Sequence, residues 1–411
     1  MLLLLSLGAV VFSRICAVLL MPISRRLGLR FNWLDRPDGK RKVHATPIPR
    51  VGGLAMIVAT VVCFGVVGAL QTVAPFEIQS VFELPTWPIL VGALLMAALG
   101  FADDLRDLHA LPKLIVQSLI ALLVVVGGLR ISIFDAALGN GEVALVVSAL
   151  LTVIWIVGII NGVNFVDGMD GLAGGVVAVA FLALGTVFVL NGDVAGVLFA
   201  PVMIGILLGF LRYNKAPASI FMGDVGSHFL GYMLAVFALS GTGHADPVVA
   251  LCVSAVAVGL PVLDTLLTLI RRPQYDKPLL HSDGDHFHHR LMERYEKPVV
   301  LRILYVASVC FAVGAVLMSV TPTTGALSLL AVGGVAGVGF LYWLGYLPGR
   351  YATGPADAER VRYAMGVDPG TWDTRGDGAM FASDSTDLVA TEVENGCRRV
   401  QQPVSTGDNR V

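Results

Sequence analysis

Long apolar runs recur from the first residue to about residue 346, and that recurrence limits what this chain can fold into more than any other feature. Each run is close to the length a helix needs to cross the hydrocarbon of a bilayer. Eleven candidate helices fall at 2–21, 52–70, 86–102, 112–129, 143–160, 171–190, 195–211, 225–240, 248–270, 301–319 and 325–346. Composition agrees, because 56% of residues are hydrophobic and 14% charged, against roughly 45–50% and 25% in soluble domains. The length would allow two or three soluble domains, but one all-α polytopic membrane domain, 1–349, is the simpler reading. Residues 350–411 are rich in Gly, Asp, Thr and Ser without an apolar run, and are expected to form a polar cytoplasmic tail of low order. No repeat of fixed period is visible.

The placement of basic residues orients the runs. Eight Lys and Arg residues lie in 23–50 and six in 271–299, whereas 71–85, 191–194, 241–247 and 320–324 have none. Arg130 is the sole basic residue in a loop of the opposite set. The positive-inside rule then puts the N-terminus outside and the C-terminus in the cytoplasm. Met1–Met21 lacks a basic leader and is followed by Arg25 and Arg26, so it is expected to be an uncleaved first span. Five cysteines show no CxxC spacing and four lie in apolar runs, which argues for packing rather than a disulfide framework or zinc.

On this topology every unusual polar cluster faces the cytoplasm. Intramembrane polar groups are costly and usually functional, so one shared site is the natural explanation. Asp103, Asp104 and Asp107 close the third run. Adjacent carboxylates repel unless a cation neutralises them, and hard oxygen ligands suit Mg²⁺ carrying a substrate phosphate; the plain alternative is a solvated helix end. Asn161, Asn164, Asp167 and Asp170 recur every third residue, a spacing that lines one strip of a helix or helical turn, and Gly168, Gly171, Gly174 and Gly175 allow close backbone approach. Asparagine caps on a turn would leave that regular spacing unexplained.

A third cluster runs from Arg212 to Ser227 and offers Asp224 as a further metal ligand and Phe221 as a face for a base, although a lone Phe is more often packing. The fourth, His281 to Arg290, brings His286, His288, His289 and Arg290, which can hydrogen-bond a pyrophosphate and stabilise the leaving charge. Zinc is the rival there, without cysteine partners to support it. The basic stretch from Asp35 to Gly53, with Lys40, Arg41, Lys42 and Arg50, reads equally as an anchor on anionic lipid. Asp264 in the ninth run calls for a polar partner, Pro261 is expected to kink the same helix, and His109 and His228 read as ordinary satisfied histidines.

Asp103-Asp104, Pro112-Lys113-Leu114 with Gln117, the stretch Asn161 to Ala173, Phe221 to Ser227 and His286-Phe287-His288-His289 resemble, in order, the motifs of the polyprenyl-phosphate N-acetylhexosamine-1-phosphate transferases. The resemblance covers about residues 1–346 and implies ten or eleven helices around a cytoplasmic cleft in the inner membrane. It implies Asp224 as the principal ligand of Mg²⁺, or of Mn²⁺ in its place, with Asp103 and Asp104 beside it. Asp103 is implied as the base on the lipid phosphate and Lys113 as a phosphate ligand. Asn214, Phe221, Asp170 and Gly171 would form the uridine pocket; Asn161, Asn164, Asp167, His286, His288, His289 and Arg290 would meet diphosphate and sugar.

The His-x-His-His-Arg form is similar to the branch that transfers N-acetylglucosamine-1-phosphate, not the branch acting on UDP-MurNAc-pentapeptide. Where that branch commonly has Asp-Arg before the histidines, this chain has Asp283-Gly284. Expected partners are a polyprenyl phosphate, a UDP-N-acetylhexosamine and the bilayer; nucleic acid is not expected, and a homodimer is compatible with the sequence. A direct displacement is the simplest route, with an aspartyl-phosphate route left open. A membrane prenyltransferase would need a second Asp-rich motif. A transporter would need charges at the midplane, which is nearly bare here.

Overall fold

The computed structural model describes residues 2–36, 46–73, 86–139, 141–193, 195–240, 244, 246–274 and 286–344. These belong to one unit, Met1–Tyr346. The expected tail at 350–411, the basic Lys40 to Lys42 and the His281 to Asp285 part of the histidine segment lie outside the described residues.

Each of the eleven apolar runs forms a helix or a bent pair of helices. They are α1 (Leu2–Arg30), α2 (Gly52–Val73), α3 (Thr86–Arg106), α4 (Ala110–Val126), α6 (Glu142–Val166), α7 (Leu172–Leu190), α8 (Ala195–Asn214), α9 (Gly223–Leu239), the pair α10 (Pro247–Ala257) and α11 (Gly259–Gln274), α13 (Lys297–Ser319) and α14 (Thr323–Leu344). Two short helices, α5 (Asp135–Leu138) and α12 (Phe287–Met292), lie between them, and β1 (Leu34–Asp35) pairs antiparallel with β2 (Ile48–Pro49). Among the described residues, seven helices are long and apolar enough to cross a bilayer unaided, and the bent pair brings that to eight. The segments Ala110–Val126, Leu198–Asn214 and Gly223–Leu239 are apolar but shorter. The chain is an all-α, multi-pass membrane protein.

Burial explains why the short α9 suffices. Helix α9 is enclosed on nearly every side, from Val225 to Ala238, with α3, α6, α2 and α7 packed around it. A helix apolar all round belongs in the interior. By contrast α1 and α14 keep only about 11% of their most apolar windows inside the protein, and leave Leu4, Val335 and similar side chains to the lipid.

Lipid tails are as apolar as leucine, so membrane helices are held together by close packing through small residues rather than by the hydrophobic effect. At the first turn of α9, Gly53 of α2 lies against the backbone of Gly226, and Gly100 of α3 lies against the backbone of Asp224. A methyl group at either position would overlap main-chain atoms. The start of α9 is therefore clamped between α2 and α3, with Gly52 and Gly53 donating their amides to the carbonyls of Phe221 and Met222 at 2.8 and 2.9 Å.

Two expectations need revision. The run 248–270 is broken rather than kinked at Pro261, with α10 and α11 meeting at 89°. Proline lacks an N–H and its ring opposes the carbonyl four residues earlier, here Ala257, so the break falls one turn ahead of the proline. The ring of Phe311 from α13 lies against Gly259 at that corner. Second, the strip Asn161 to Asp170 is not one helical face, because α6 ends at Val166 and leaves Asp167 and Asp170 in the following turn. Arg130, anomalous in its loop, is held by Asp135 at 2.7 Å and Ser148 at 2.9 Å, which fixes the loop before α6.

Replacing Gly100 by Val forces α3 away from α9 and is expected to destabilise the protein by about 1–3 kcal/mol. Thermal unfolding in detergent checks this, and an unchanged midpoint would refute the clamp.

Candidate active site

Helix ends that point the same way bring the polar clusters together. The C-terminal ends of α3 and α6 and the N-terminal ends of α2, α4 and α9 meet at one mouth, where Asp103, Asp104, Lys113, Asn164, Asp167 and Asp224 converge. Asp224 stands in the first turn of α9, where the helix dipole favours a negative charge.

Asp103 is almost fully buried. Its Oδ2 accepts from Lys113 Nζ at 2.7 Å, and its Oδ1 from the amide of Leu108 at 2.8 Å. Asp104 turns the other way, where its Oδ2 accepts from the amide of Val225 at 3.0 Å and its Oδ1 is 3.8 Å from Arg50 Nε. Arg50 also donates to the Asp104 carbonyl at 3.0 Å and pairs with Asp35 at 3.6 Å, which ties the β1–β2 segment to the end of α3. Asp224 Oδ1 accepts from Asn164 Nδ2 at 2.7 Å, and the same amide reaches Ser227 Oγ at 2.9 Å. Asn164 thus aims Asp224.

The carboxylates are crowded. Asp224 lies close enough to act electrostatically on both Asp103 and Asp104. In the turn after α6, Asp167 is pushed well above the usual carboxylate range, first by desolvation and then by the charges of Asp224, Asp104 and Asp170. Like charges at this spacing need a proton or a cation between them. Among the described residues no three Asp, Glu, His or Cys side chains form a ready-made metal cage. Mg²⁺ does not require one, since it keeps several waters and binds through one or two carboxylates plus substrate phosphates. The donor set fits that ion.

The second cluster divides its work. Asn161 donates to Gln117 Oε1 and to the carbonyl of Val157, both at 2.8 Å, joining α6 to α4. Asp170 accepts from the Ala218 amide at 3.0 Å. Gly171, at φ +81°, donates to Asn214 Oδ1 at 2.9 Å, while Asn214 Nδ2 donates to the Ile220 carbonyl at 3.0 Å. Each end of the Asn214 amide bonds the backbone, which braces the Gly171 turn against the loop before α9. Phe221 lies half-buried in the adjoining loop, its amide bonded to the Pro49 carbonyl at 2.8 Å.

The histidine segment joins the same mouth through a residue of α11. Asp264, buried, accepts from His286 Nδ1 at 3.0 Å and from the amide of Phe287 at 3.1 Å, so one carboxylate caps α12 and orients its first imidazole. Asp264 thereby gains the partner that its cost in a membrane demanded. His286 stacks on Phe165 at 4.6 Å, and His288 presses on Gly168, so the second and fourth clusters touch through α6 and its turn. His289 lies 4.1 Å from His288, and Arg290 is half-buried beside them.

Sequence reasoning missed Tyr305, whose hydroxyl donates to the Gly171 carbonyl at 2.7 Å and lies against Gly175. It is an ordinary aromatic in an apolar run, and no local signal marks it. It also misjudged His228, which is buried with no hydrogen-bond partner for Nδ1 among the described residues, and it lies close enough to feel the charges of Asp103 and Lys113.

A closed apolar bundle with one mouth of carboxylates, amides and imidazoles is a membrane-embedded enzyme for anionic substrates. Comparison with known proteins narrows the class. Residues 86–242 match the description Glycosyl transferase family 4. The chain is 32% identical over 312 residues to a Bacillus subtilis protein named "Probable undecaprenyl-phosphate N-acetylglucosaminyl 1-phosphate transferase", covering 75% of this chain and 84% of the relative. It is 36% identical over 315 residues to the decaprenyl-phosphate N-acetylglucosaminephosphotransferase of Mycolicibacterium smegmatis, covering 70% and 76%. It is 31% identical over 293 residues to the phospho-N-acetylmuramoyl-pentapeptide-transferase of Chlamydia trachomatis, covering 65% and 82%. The chain belongs to this family of polyprenyl-phosphate N-acetylhexosamine-1-phosphate transferases, on the N-acetylglucosamine side.

Two measurements probe the histidine segment. Asp264→Ala leaves the Phe287 amide and His286 Nδ1 without their acceptor and is expected to lower stability by about 1–3 kcal/mol, read by thermal unfolding. His288 is held neutral: burial first, and then the charges of His289 and His286, lower its pKa from 6.5 to about 3. The unfolded chain therefore gains a proton below pH 6.5 that the folded one does not, and stability falls as pH drops from 6.5 towards 3. Unfolding curves of wild type and His288→Gln between pH 7 and 4.5 should diverge by up to about 1.4 kcal/mol per pH unit, with the variant the less acid-sensitive.

Proposed function

We propose that this protein transfers N-acetylglucosamine-1-phosphate from UDP-GlcNAc to an undecaprenyl-type polyprenyl phosphate and releases UMP, as the first membrane step of a cell-envelope glycan. The enzyme crosses the inner membrane eleven times, with its N-terminus outside, its C-terminus in the cytoplasm and its mouth facing the cytoplasm. The Lys and Arg distribution supports that orientation. The names of the relatives support the donor, as does the His286-x-His288-His289-Arg290 form.

The observation that carries the reaction is the pairing of Lys113 with Asp103, within electrostatic reach of Asp224. A lipid phosphate entering this mouth meets one ammonium group and a carboxylate able to take its last proton. An acceptor oxygen then forms a bond to the β-phosphorus of the donor while the bond from that phosphorus to the bridging oxygen breaks, and the electron pair leaves on UMP. Asp224, with Asp103 and Asp104, would hold Mg²⁺, which supplies neutralisation of the two phosphate anions.

The chain's own groups do the rest. Asn164 fixes the direction of Asp224, and the turn at Asp170 and Gly171, braced by Asn214 and Tyr305, shapes the uridine pocket beside Phe221. His286, oriented by Asp264, leads a row of imidazoles ending at Arg290 that offers donors to the sugar phosphate.

Purified protein given Mg²⁺, undecaprenyl phosphate and either UDP-GlcNAc, UDP-GalNAc or UDP-MurNAc-pentapeptide should release UMP only from UDP-GlcNAc. Release from another donor would overturn the sugar assignment, and release from none would overturn the reaction. Asp103→Asn and Asp224→Asn should each lower kcat by a factor of about 10² or more while eluting like wild type on size exclusion. Retained turnover in either variant would refute the assigned roles.

A further inference from the structure

One helical turn below Lys113, Asn164 and Asp224 lies a second polar layer, carried by the same three helices. Gln117 follows Lys113 by four residues on α4, His228 follows Asp224 by four on α9, and Asn161 precedes Asn164 by three on α6. Helices α4 and α9 start at the mouth and α6 ends there, so each of these residues sits about 5–6 Å deeper than its neighbour above. Gln117 and His228 are buried at 0% and 1% exposure.

Two of the three leave a hydrogen-bonding atom open. Asn161 Nδ2 donates to the Val157 carbonyl and to Gln117 Oε1, both at 2.8 Å. A carbonyl can only accept, which fixes Nδ2 as a donor and makes the Gln117 atom facing it the oxygen. Gln117 Nε2 therefore points elsewhere, and it has no partner among the described residues; nor does His228 Nδ1. Ordered water is the usual answer to such buried groups.

Packing turns the two side chains toward one another. On α9, Gly231 lies against the backbone of Ile160 on α6, and Tyr232 reaches Gly92 on α3. At about 3.6 residues per turn, His228 lies between those two directions. It therefore aims at α4, which packs on both α3 and α6, and there Gln117 belongs to the inward face with Ile120, Ala121 and Val124. His228 also feels the charges of Asp103 and Lys113, whose 2.7 Å pair stands one turn above Gln117.

We propose that Gln117 Nε2 and His228 Nδ1 hold one buried water beneath the Asp103–Lys113 pair, and that the two residues thereby position this pair for the acceptor phosphate. The proposal rests on the reading that the pair receives that phosphate. A water brings two protons and two lone pairs. It accepts from Gln117 Nε2, pairs with His228 Nδ1 in either tautomer, and keeps two bonds for the ammonium and the carboxylate above. Gln117 and His228 touch no substrate, and they act through Lys113 and Asp103 as positioning residues.

Replacements at position 228 separate a held water from simple filling of space. Asparagine puts a polar amide atom where Nδ1 stands, whereas glutamine is nearer to histidine in size but carries its amide past that point. In purified protein, His228→Leu should lower kcat/KM for undecaprenyl phosphate about tenfold and leave KM for UDP-GlcNAc unchanged. Its unfolding midpoint should fall by about 2–6 °C. His228→Asn should recover most of both losses, and His228→Gln should not. Recovery by Gln equal to or better than that by Asn overturns the proposal, as does a His228→Leu variant that matches wild type in both measurements. Gln117→Leu combined with His228→Leu should cost no more than either change alone, because both hold the same water; additive losses refute the shared site. A crystal structure that resolves ordered water should show one within about 3 Å of both atoms, and a direct bond between the two side chains refutes it. If wild type releases no UMP from any donor, the underlying reaction falls, and the unfolding midpoints still decide the water site.

Discussion

The backbone clamp at the start of α9 is the constraint on which the rest depends. Gly53 and Gly100 bring α2 and α3 to van der Waals distance of the main chain of Gly226 and Asp224. That approach places Asp104 under the Val225 amide and Asp103 against Asp224. Tight packing and concentrated negative charge thus occupy the same few ångströms. Left alone, such charge would push the helices apart. Lys113 and Arg50, approaching from α4 and from the β2 end, offset part of it, and the remainder is what a divalent ion and phosphate chemistry would use.

Around that point the other segments act as braces. Asn164 reaches across from α6 to aim Asp224; Asn214 and Tyr305 hold the Gly171 turn from α8 and α13; Asp264 carries the histidine segment from α11. Each brace is a polar group that a lipid environment would punish if it stood alone, and each is satisfied by a partner distant in sequence. The result is a mouth whose shape is set by several spans at once.

Much of this was legible in the sequence because its signals are local. Apolar length marked every long helix, the acidic pair Asp103-Asp104 and the Asn161 to Asp170 stretch marked the mouth, and the lone Asp264 announced a partner without naming it. What stayed hidden is what depends on distant packing. Pro261 marked a bend, but not that Ala257 and Gly259 would part at 89°. The three-residue spacing of the second cluster concealed a helix end at Val166. Tyr305 and Phe165 look like any aromatic in an apolar run until a turn and an imidazole are brought against them. Asn214 gave no sign in the sequence that its amide would bond the backbone of Gly171 and Ile220.

The corner between α10 and α11 bears on how the molecule is made. A chain that turns through a right angle within a bilayer exposes backbone that lipid cannot hydrate, so the turn needs shelter from protein. Here the ring of Phe311 covers Gly259 at the corner, and Phe311 belongs to α13, which leaves the ribosome later. The shelter of the corner, beside the α11 helix whose Asp264 holds the histidine segment, is thus borrowed from a span that follows it in the chain.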